Sequence, residues 1–396
     1  MRCYFDYNAS APMKREVKEY IRKVMDITGN PSSIHTSGRK SKNILETSRK
    51  NIASLLNCDT RNIIFTSGAT EANNLALSGY KNKIISSIEH ESIRNQKNTI
   101  MVNVDENGCI NLEMLENVLK SLKKNEKNII SVMYANNEIG VIQPIKQIGQ
   151  IVREHRAQNK SSKLLFHCDA VQALGRVPLD VKSLGVDLMS ISGHKMYGPK
   201  GIGALYVRKG RPRIRLEAQI HGGGHERNMR SGTLPVHQIV GLGKAAELAK
   251  NDLENGAIER VRRLRDRLWA GLQENLDELY LNGSWEHRLP NNLNVSFAYV
   301  EGEAMMMAIK QIACSSGSAC TSASLEPSYV LRHMGVDVEL AHTSIRFGIG
   351  RFNTEEEIDS ALSIIIEKVQ GLRDMSPLYE MVKEGIDLKS IDWVAH

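Results

Sequence analysis

Nowhere in its 396 residues does the chain hold the roughly 20 consecutive apolar residues that a membrane-spanning helix needs. Its opening, Met1-Arg2-Cys3-Tyr4-Phe5-Asp6, carries neither the apolar core of a secretion signal nor an Arg/Ser-rich transit pattern. The expected location is therefore the cytoplasm, or an organelle matrix after processing. The six cysteines include no Cys-x-x-Cys pair, which argues against both a four-ligand zinc site and a disulfide framework in a chain of this size. The formal charge of +7 is small for the length, and the basic residues form no dominant block, so direct nucleic-acid binding is not expected. Internal repeats and low-complexity tracts are missing too.

What is present is ordinary for a globular protein: 41% hydrophobic and 24% charged residues, in a chain too long for one compact core. After a short extended segment over residues 4–12 and helical spacing through Val17, Ile21 and Val24, strands and helices alternate. Apolar runs at 63–65, 84–88, 102–104, 129–134, 164–168, 186–191 and 204–207 read as strands. Between them stand helical stretches such as 145–152 and the stripe Leu112, Leu115, Val118, Leu119 and Leu122. Such alternation predicts an α/β fold with a mostly parallel, helix-covered sheet. Ligands of open α/β sheets sit at the carboxyl ends of the strands, where Thr70, His90, Asn137, Asp169 and Lys195 fall. Past Gly222-Gly223-Gly224 the character changes. A long amphipathic helix over 258–279 and strands at 293–297 and 344–347 suggest a smaller α+β domain. The expected division is a large domain over 15–255, with 1–14 and 256–396 forming the small one. Arg260, Arg262, Arg263, Arg265 and Arg267 are read as the solvated face of the long helix.

Chemistry enters at Ser190-Ile191-Ser192-Gly193-His194-Lys195-Met196-Tyr197-Gly198. A lysine in a Gly-rich turn at the end of a buried strand is partly desolvated, which leaves an amine able to attack a carbonyl. The aldehyde of pyridoxal 5'-phosphate (PLP), held as a Schiff base, is the natural carbonyl partner, and an ordinary solvated turn lysine is the plain alternative. Ser67-Gly68-Ala69-Thr70-Glu71 exposes N–H groups at a helix start, either as a phosphate cradle or as a simple cap. Asp169 ends a buried strand and needs a cationic or N–H partner, which a protonated pyridine nitrogen would supply. Gln172 is placed to address a ring hydroxyl. His90 either stacks on a ring and moves protons or is structural. Arg346, in an apolar strand, needs an anion: a substrate carboxylate or an internal salt bridge. Residues 315–324 are all small, so a mobile loop is expected there, with Cys320 as an exposed nucleophile or merely a small residue.

These stretches together resemble the PLP-dependent cysteine desulfurases of the IscS/NifS type, in the class-V aminotransferase-like group of fold-type I enzymes. The likeness runs through Thr66 to Glu71, Glu89-His90, Asn136-Asn137-Glu138-Ile139-Gly140 and Ser192 to Lys195. It continues in residues 222–227, Arg230-Ser231-Gly232-Thr233, 315–324, 344–351 and the tail at 385–393. The resemblance implies that Lys195 holds PLP, that Ala69, Thr70, Ser192 and His194 bind its phosphate, and that Thr233 does so from the partner of a homodimer. It also implies that Asp169 and Gln172 address the ring, His90 stacks on it, and Asn137 contacts cofactor and substrate, with Arg346 orienting the substrate. Cys320 would take sulfur from L-cysteine as a persulfide, releasing L-alanine. It would pass the sulfur to acceptors: an IscU-like iron–sulfur scaffold docking on the C-terminal tail, and acceptors for tRNA thiolation. No metal site is implied beyond Cys320 as a transient cluster ligand.

Departures from the family pattern are few. Ala9-Ser10-Ala11-Pro12 stands where the family usually has Ala-Thr-Thr-Pro, residues 159–163 form a longer polar loop, and Cys168 and Cys314 replace aliphatic residues and are expected to be inert. Competing readings are a selenocysteine lyase or cysteine sulfinate desulfinase, a scaffold that has lost catalysis, and a nucleic-acid binder resting on the basic residues near Arg262 and Lys209.

Overall fold

The computed structural model describes residues 3–123, 125–159, 163–210, 213–316 and 326–386. Its strands are β1 (Cys3–Tyr4), β2 (Ile63–Thr66), β3 (Asn82–Ser86), β4 (Thr99–Val102), β5 (Lys127–Ser131), β6 (Lys163–Asp169), β7 (Leu188–Ser192) and β8 (Gly203–Val207). The later ones are β9 (Leu279–Leu281), β10 (Asn292–Phe297), β11 (Ile312–Ala313), β12 (Ser315–Ser316) and β13 (Ser344–Gly348).

Among the described residues the large sheet runs β2-β8-β7-β6-β5-β3-β4. Pairing is parallel from β4 through to β7, while β8 lies antiparallel between β7 and β2. The mostly parallel sheet read from the alternation is thus present. Its edge at β2 is joined through the one reversed strand, so β2 again points the same way as β7. Apolar cores such as Ile129-Ile130 and Ile84-Ile85 are buried on both faces, as strands covered by helices must be. The strands at 84–88 and 129–134 begin two residues earlier and end sooner than their apolar runs. Ser87 to His90 and Val132 to Asn137 are the loops that leave them for the ligand edge.

Polar side chains inside the sheet are paired rather than orphaned. His167 bridges Ser131 Oγ at 2.8 Å and Ser190 Oγ at 2.9 Å, one on each neighbouring strand. Burial pushes this imidazole down to about 3, so it stays neutral and serves only as a hydrogen-bonding spacer. The helices Thr36–Leu55 and Val236–Glu254 cover one face and approach closely. A Cβ on Gly243 would lie 2.4 Å from Ser48 Cβ, so glycine is required at that crossing.

A second core surrounds the antiparallel sheet β12-β13-β10-β9. The helices Ala257–Asn275 and Glu355–Arg373 pack on it with Val261, Leu264, Leu268 and Leu272 facing Ile358, Ala361, Ile365 and Val369. Fully burying each such Val, Leu or Ile side chain stabilises the fold by roughly 1.5–3 kcal/mol. A capping box starts the second helix: the Glu357 N–H donates to Thr354 Oγ1 at 3.3 Å and the Thr354 N–H to Glu357 Oε2 at 3.2 Å.

Arg265 corrects the reading of the basic helix face. It is 5% exposed, lies 4.3 Å from the centroid of the Trp285 ring, and donates to Leu289 O at 3.1 Å. Its place two positions from two exposed arginines hid a residue that turns inward and shares its charge between Asp266, 2.6 Å from Nη2, and a ring face. No helix among the described residues is long and apolar enough to cross a membrane.

Candidate active site

The carboxyl ends of β2, β3, β5, β6 and β7 lie at one edge of the large sheet and carry the residues singled out from the sequence. Lys195 follows β7 in a single 3-10 turn, Gly193–Met196. Its Nζ donates to Asn8 O at 2.5 Å and Ala9 O at 2.7 Å, so the N-terminal segment crosses this edge to reach it. Two unforeseen residues fix the turn. Arg176 is buried and donates to Lys195 O at 3.2 Å, Tyr7 O at 3.1 Å and Gln172 O at 2.6 Å. Tyr197 sits in the left-handed region at φ 59°, a conformation that costs a non-glycine residue about 1 kcal/mol or more. Its ring is clamped against Tyr7 and Phe352, at centroid distances of 5.8 and 5.6 Å.

Asp169 ends β6 and is 6% exposed. Its Oδ2 accepts from Asn73 Nδ2 at 2.8 Å and its Oδ1 from the Val171 N–H at 3.0 Å. Among the described residues no Lys, Arg or His pairs with it. A buried carboxylate served only by neutral donors is a ready partner for a cationic ligand atom. Asn73 Nδ2 also donates to Ser92 Oγ at 2.9 Å, and Ser92 Oγ lies 2.9 Å from His90 Nδ1. His90 Nδ1 accepts from the Ser92 N–H at 3.1 Å, which leaves Nε2 to carry the proton of the neutral ring. The structure thus links Asp169 to His90 through Asn73 and Ser92. Neither intermediary was read from the sequence; a lone Asn among the small apolar residues of a buried helix face was the available signal. Beside His90, Glu89 is fully buried, and its Oε1 accepts from the Met133 N–H at 2.7 Å. Burial, with the Asp169 charge adding and the Met133 N–H opposing, pushes its carboxyl well above the usual range.

At the end of β2, helix Ala69–Leu77 starts at Gly68, which has no side chain to cap it, and no cap hydrogen bond is made among the described residues. The turn packs against β8 so closely that a Cβ on Gly203 would stand 2.8 Å from Gly68 Cα. Ala69 and Thr70 open this helix, and Ser192 stands at the end of β7. His194, beside Ser192, is pushed down to about 4 by burial, with the charges of Lys195, Lys200 and Arg176 adding, so its ring is neutral at neutral pH. The neighbouring loop is held by Arg49, whose Nη1 and Nη2 contact the two Glu226 oxygens at 2.9 and 2.8 Å. Glu226 also accepts from the Phe65 N–H at 2.7 Å, and Arg230 pairs with Glu71 at 2.9 Å. Thr233, on this loop, is exposed, and no hydrogen bond among the described residues joins it to the other site residues.

Gln172 is buried and shares a carbonyl with Lys195: its Nε2 donates to Asn8 O at 3.0 Å. Arg346 lies in β13 with its side chain 3% exposed. Its Nη1 donates to Asn137 O at 3.1 Å and its Nη2 to Asp6 Oδ1 at 2.9 Å, so the internal ion pair weighed from the sequence is present. Glu138, next to Asn137, is pushed up to about 7 by burial, against the Ser328 hydrogen bond and the Arg346 charge.

Cys320 lies outside the described residues. The other cysteines are Cys3 and Cys168, both buried, and Cys58, Cys109 and Cys314, partly buried. Burial pushes all five thiols up, Cys58 and Cys314 to about 12. Cys168 and Cys314 are accordingly poor nucleophiles. No group of three or more His, Cys, Asp or Glu among the described residues is arranged to hold a metal ion. The edge does suit PLP: an uncapped helix start for a phosphate, an unpaired buried carboxylate for a ring nitrogen, and an amine between them.

A profile of the aminotransferase class-V family matches residues 3–361. The chain is 51% identical to a cysteine desulfurase IscS of Neisseria meningitidis, over 99% of this chain and 98% of that one. It is 48% identical to a cysteine desulfurase IscS of Aeromonas hydrophila, over 99% of both. The fold is similar to that of the NifS-like protein of Rickettsia africae, with a TM-score of 0.84 and 33% identity, covering 93% of this chain and 100% of that one.

Proposed function

Because the chain belongs to the aminotransferase class-V family and is a PLP-dependent cysteine desulfurase, we propose that Cys320 takes up the sulfur as a persulfide and delivers it for iron–sulfur cluster assembly. The observation that carries this is the state of the thiols. The five described cysteines are wholly or partly buried with their thiols pushed up, which supports Cys320 as the source of the reactive thiolate.

In this reading Lys195 Nζ anchors the cofactor, and the N–H groups of Ala69 and Thr70, with Ser192 and His194, hold its phosphate. Asp169 faces the ring nitrogen, Gln172 the ring hydroxyl, and His90 the ring face. Bound PLP supplies a carbonyl for the substrate's amine and an electron sink for the charge left when sulfur departs. Arg346, oriented through Asn137, binds the substrate carboxylate. The Cys320 thiolate attacks the substrate sulfur, the Cβ–S bond breaks with its electron pair left on the carbon side, and a proton returns to that carbon. Alanine leaves, and the sulfur stays on Cys320 as S–SH. Lys195 Nζ and His90 Nε2 are the groups that move protons.

The enzyme works as a homodimer in the cytoplasm, the second copy contributing Thr233 to the phosphate site; a single-chain mass in solution would argue against this. Sulfur acceptors for tRNA thiolation are served as well as the cluster scaffold. Residues 385–396, of which 387–396 lie outside the described residues, are the scaffold's docking tail. The test treats the holoenzyme with L-cysteine, quantifies alanine, and maps the added sulfur by peptide mass. We expect equal alanine and sulfur, with sulfur on the Cys320 peptide. Sulfur on Cys314 or Cys168, or no alanine, would sink the reading. A chain ending at Ile386 is expected to load sulfur as before and to lose transfer to the scaffold; retained transfer would remove the tail's role.

A further inference from the structure

Asp6 joins two parts of the molecule that the sequence places far apart. Its Oδ1 accepts from Arg346 Nη2 at 2.9 Å and from Ser315 Oγ at 2.9 Å. Arg346 is also held by Asn137 O, while its buried Nε has no partner among the described residues. The guanidinium is therefore fixed and partly neutralised before any substrate arrives, with donor capacity to spare. A carboxylate that comes to Arg346 meets the cation and, beside it, the like charge of Asp6.

Ser315 ends two residues before the stretch 317–325, which contains Cys320. On the other side of that stretch the arrangement recurs. Ser328 Oγ donates to Glu138 Oε2 at 2.5 Å and caps helix Tyr329–His333. Glu138 follows Asn137, whose carbonyl holds Arg346. Each flank of the cysteine-bearing stretch is thus fastened by a serine to a carboxylate next to the same arginine.

We propose that Asp6 is a positioning residue that weakens the Arg346 site for carboxylates, so that product leaves, and ties that site through Ser315 to the stretch bearing Cys320. The proposal rests on Arg346 being the substrate-carboxylate site. One oxygen, Oδ1, serves both donors. When a substrate carboxylate draws Arg346 Nη2 towards itself, Oδ1 is left to Ser315 alone, and that hydrogen bond strengthens.

Asp6→Asn keeps the size and the acceptor oxygen and removes only the charge. Ser315→Ala removes only the second donor. Both are compared with wild-type holoenzyme by titration with L-alanine, followed through the visible absorption of bound PLP, and by kcat and KM for L-cysteine. For Asp6→Asn we expect half-saturating L-alanine and KM to fall about 5-fold, as a like charge is lost beside the site. Its kcat is expected to fall about 10-fold, as the tie to Ser315 slackens. Ser315→Ala is expected to lower kcat about 10-fold and leave half-saturating L-alanine within about 2-fold. A merely structural Asp6 would weaken binding or change nothing. Unchanged or weaker alanine binding in Asp6→Asn, or unchanged kcat in Ser315→Ala, overturns the proposal. Alanine binding as in wild type by Arg346→Gln would instead strike the carboxylate-site reading itself.

Discussion

Lys195→Ala is expected to purify without the visible absorption of bound PLP and to form alanine from cysteine about 10³-fold more slowly or worse, since in the proposed reading it loses both the amine that captures the cofactor and a proton carrier. The methyl side chain fits where the lysine stem runs, because the turn is fixed by Arg176 and Tyr197 rather than by the ammonium. A thermal melt close to wild type should accompany the loss, although Asn8 O and Ala9 O each give up a donor. The absorption spectrum decides the matter at once. Wild-type absorption in the variant would show that another group holds the cofactor.

Cys320→Ser gives the second large effect, with the opposite signature. The cofactor absorption and its change on adding cysteine should persist, because the residues around Lys195 and Asp169 are untouched. Sulfur release and alanine formation should fall on the order of 10²-fold or more, since a serine hydroxyl at neutral pH is a far weaker nucleophile towards sulfur than a thiolate. The measurement is alanine formed per PLP-bound protein. Full turnover would assign the sulfur to another thiol. The same variant separates the neighbouring chemistries: retained turnover of cysteine sulfinate or selenocysteine beside lost turnover of cysteine marks the thiol as specific to the sulfur reaction.

The sequence made some of this site legible because the information is local. Asp169 and Lys195 stand at the ends of apolar runs, and an apolar run that stops at a polar residue marks both the strand and its ligand edge. The helix start at Gly68 shows in the same way. Residues brought in from elsewhere left no such mark. Asp6 and Arg346 are separated by 340 positions, and nothing near either names the other. Asn73 and Ser92 are ordinary polar residues until the packing of their helices places them between Asp169 and His90. Arg265 was misread because helical periodicity sorts faces by average character, whereas the Trp285 ring makes room for one particular guanidinium. The reversed β8 was equally invisible, since strand direction depends on connections and not on composition.

The N-terminal strap carries a consequence for how the enzyme is made. Cys3 pairs with Ile312, and Asp6 with Arg346, contacts whose second members leave the ribosome long after Lys195 does. At about 5–20 residues per second, roughly 8–30 seconds separate translation of Lys195 from translation of Arg346. The large sheet can assemble within that interval. Tyr7, Asn8 and Ala9 can already dock on Arg176, Gln172 and Lys195, but Cys3 and Asp6 gain their partners only when the second core arrives. The Arg346 end of the site is therefore the part completed last, and ribosome-bound chains stalled before residue 312 should lack the anchors of Cys3 and Asp6.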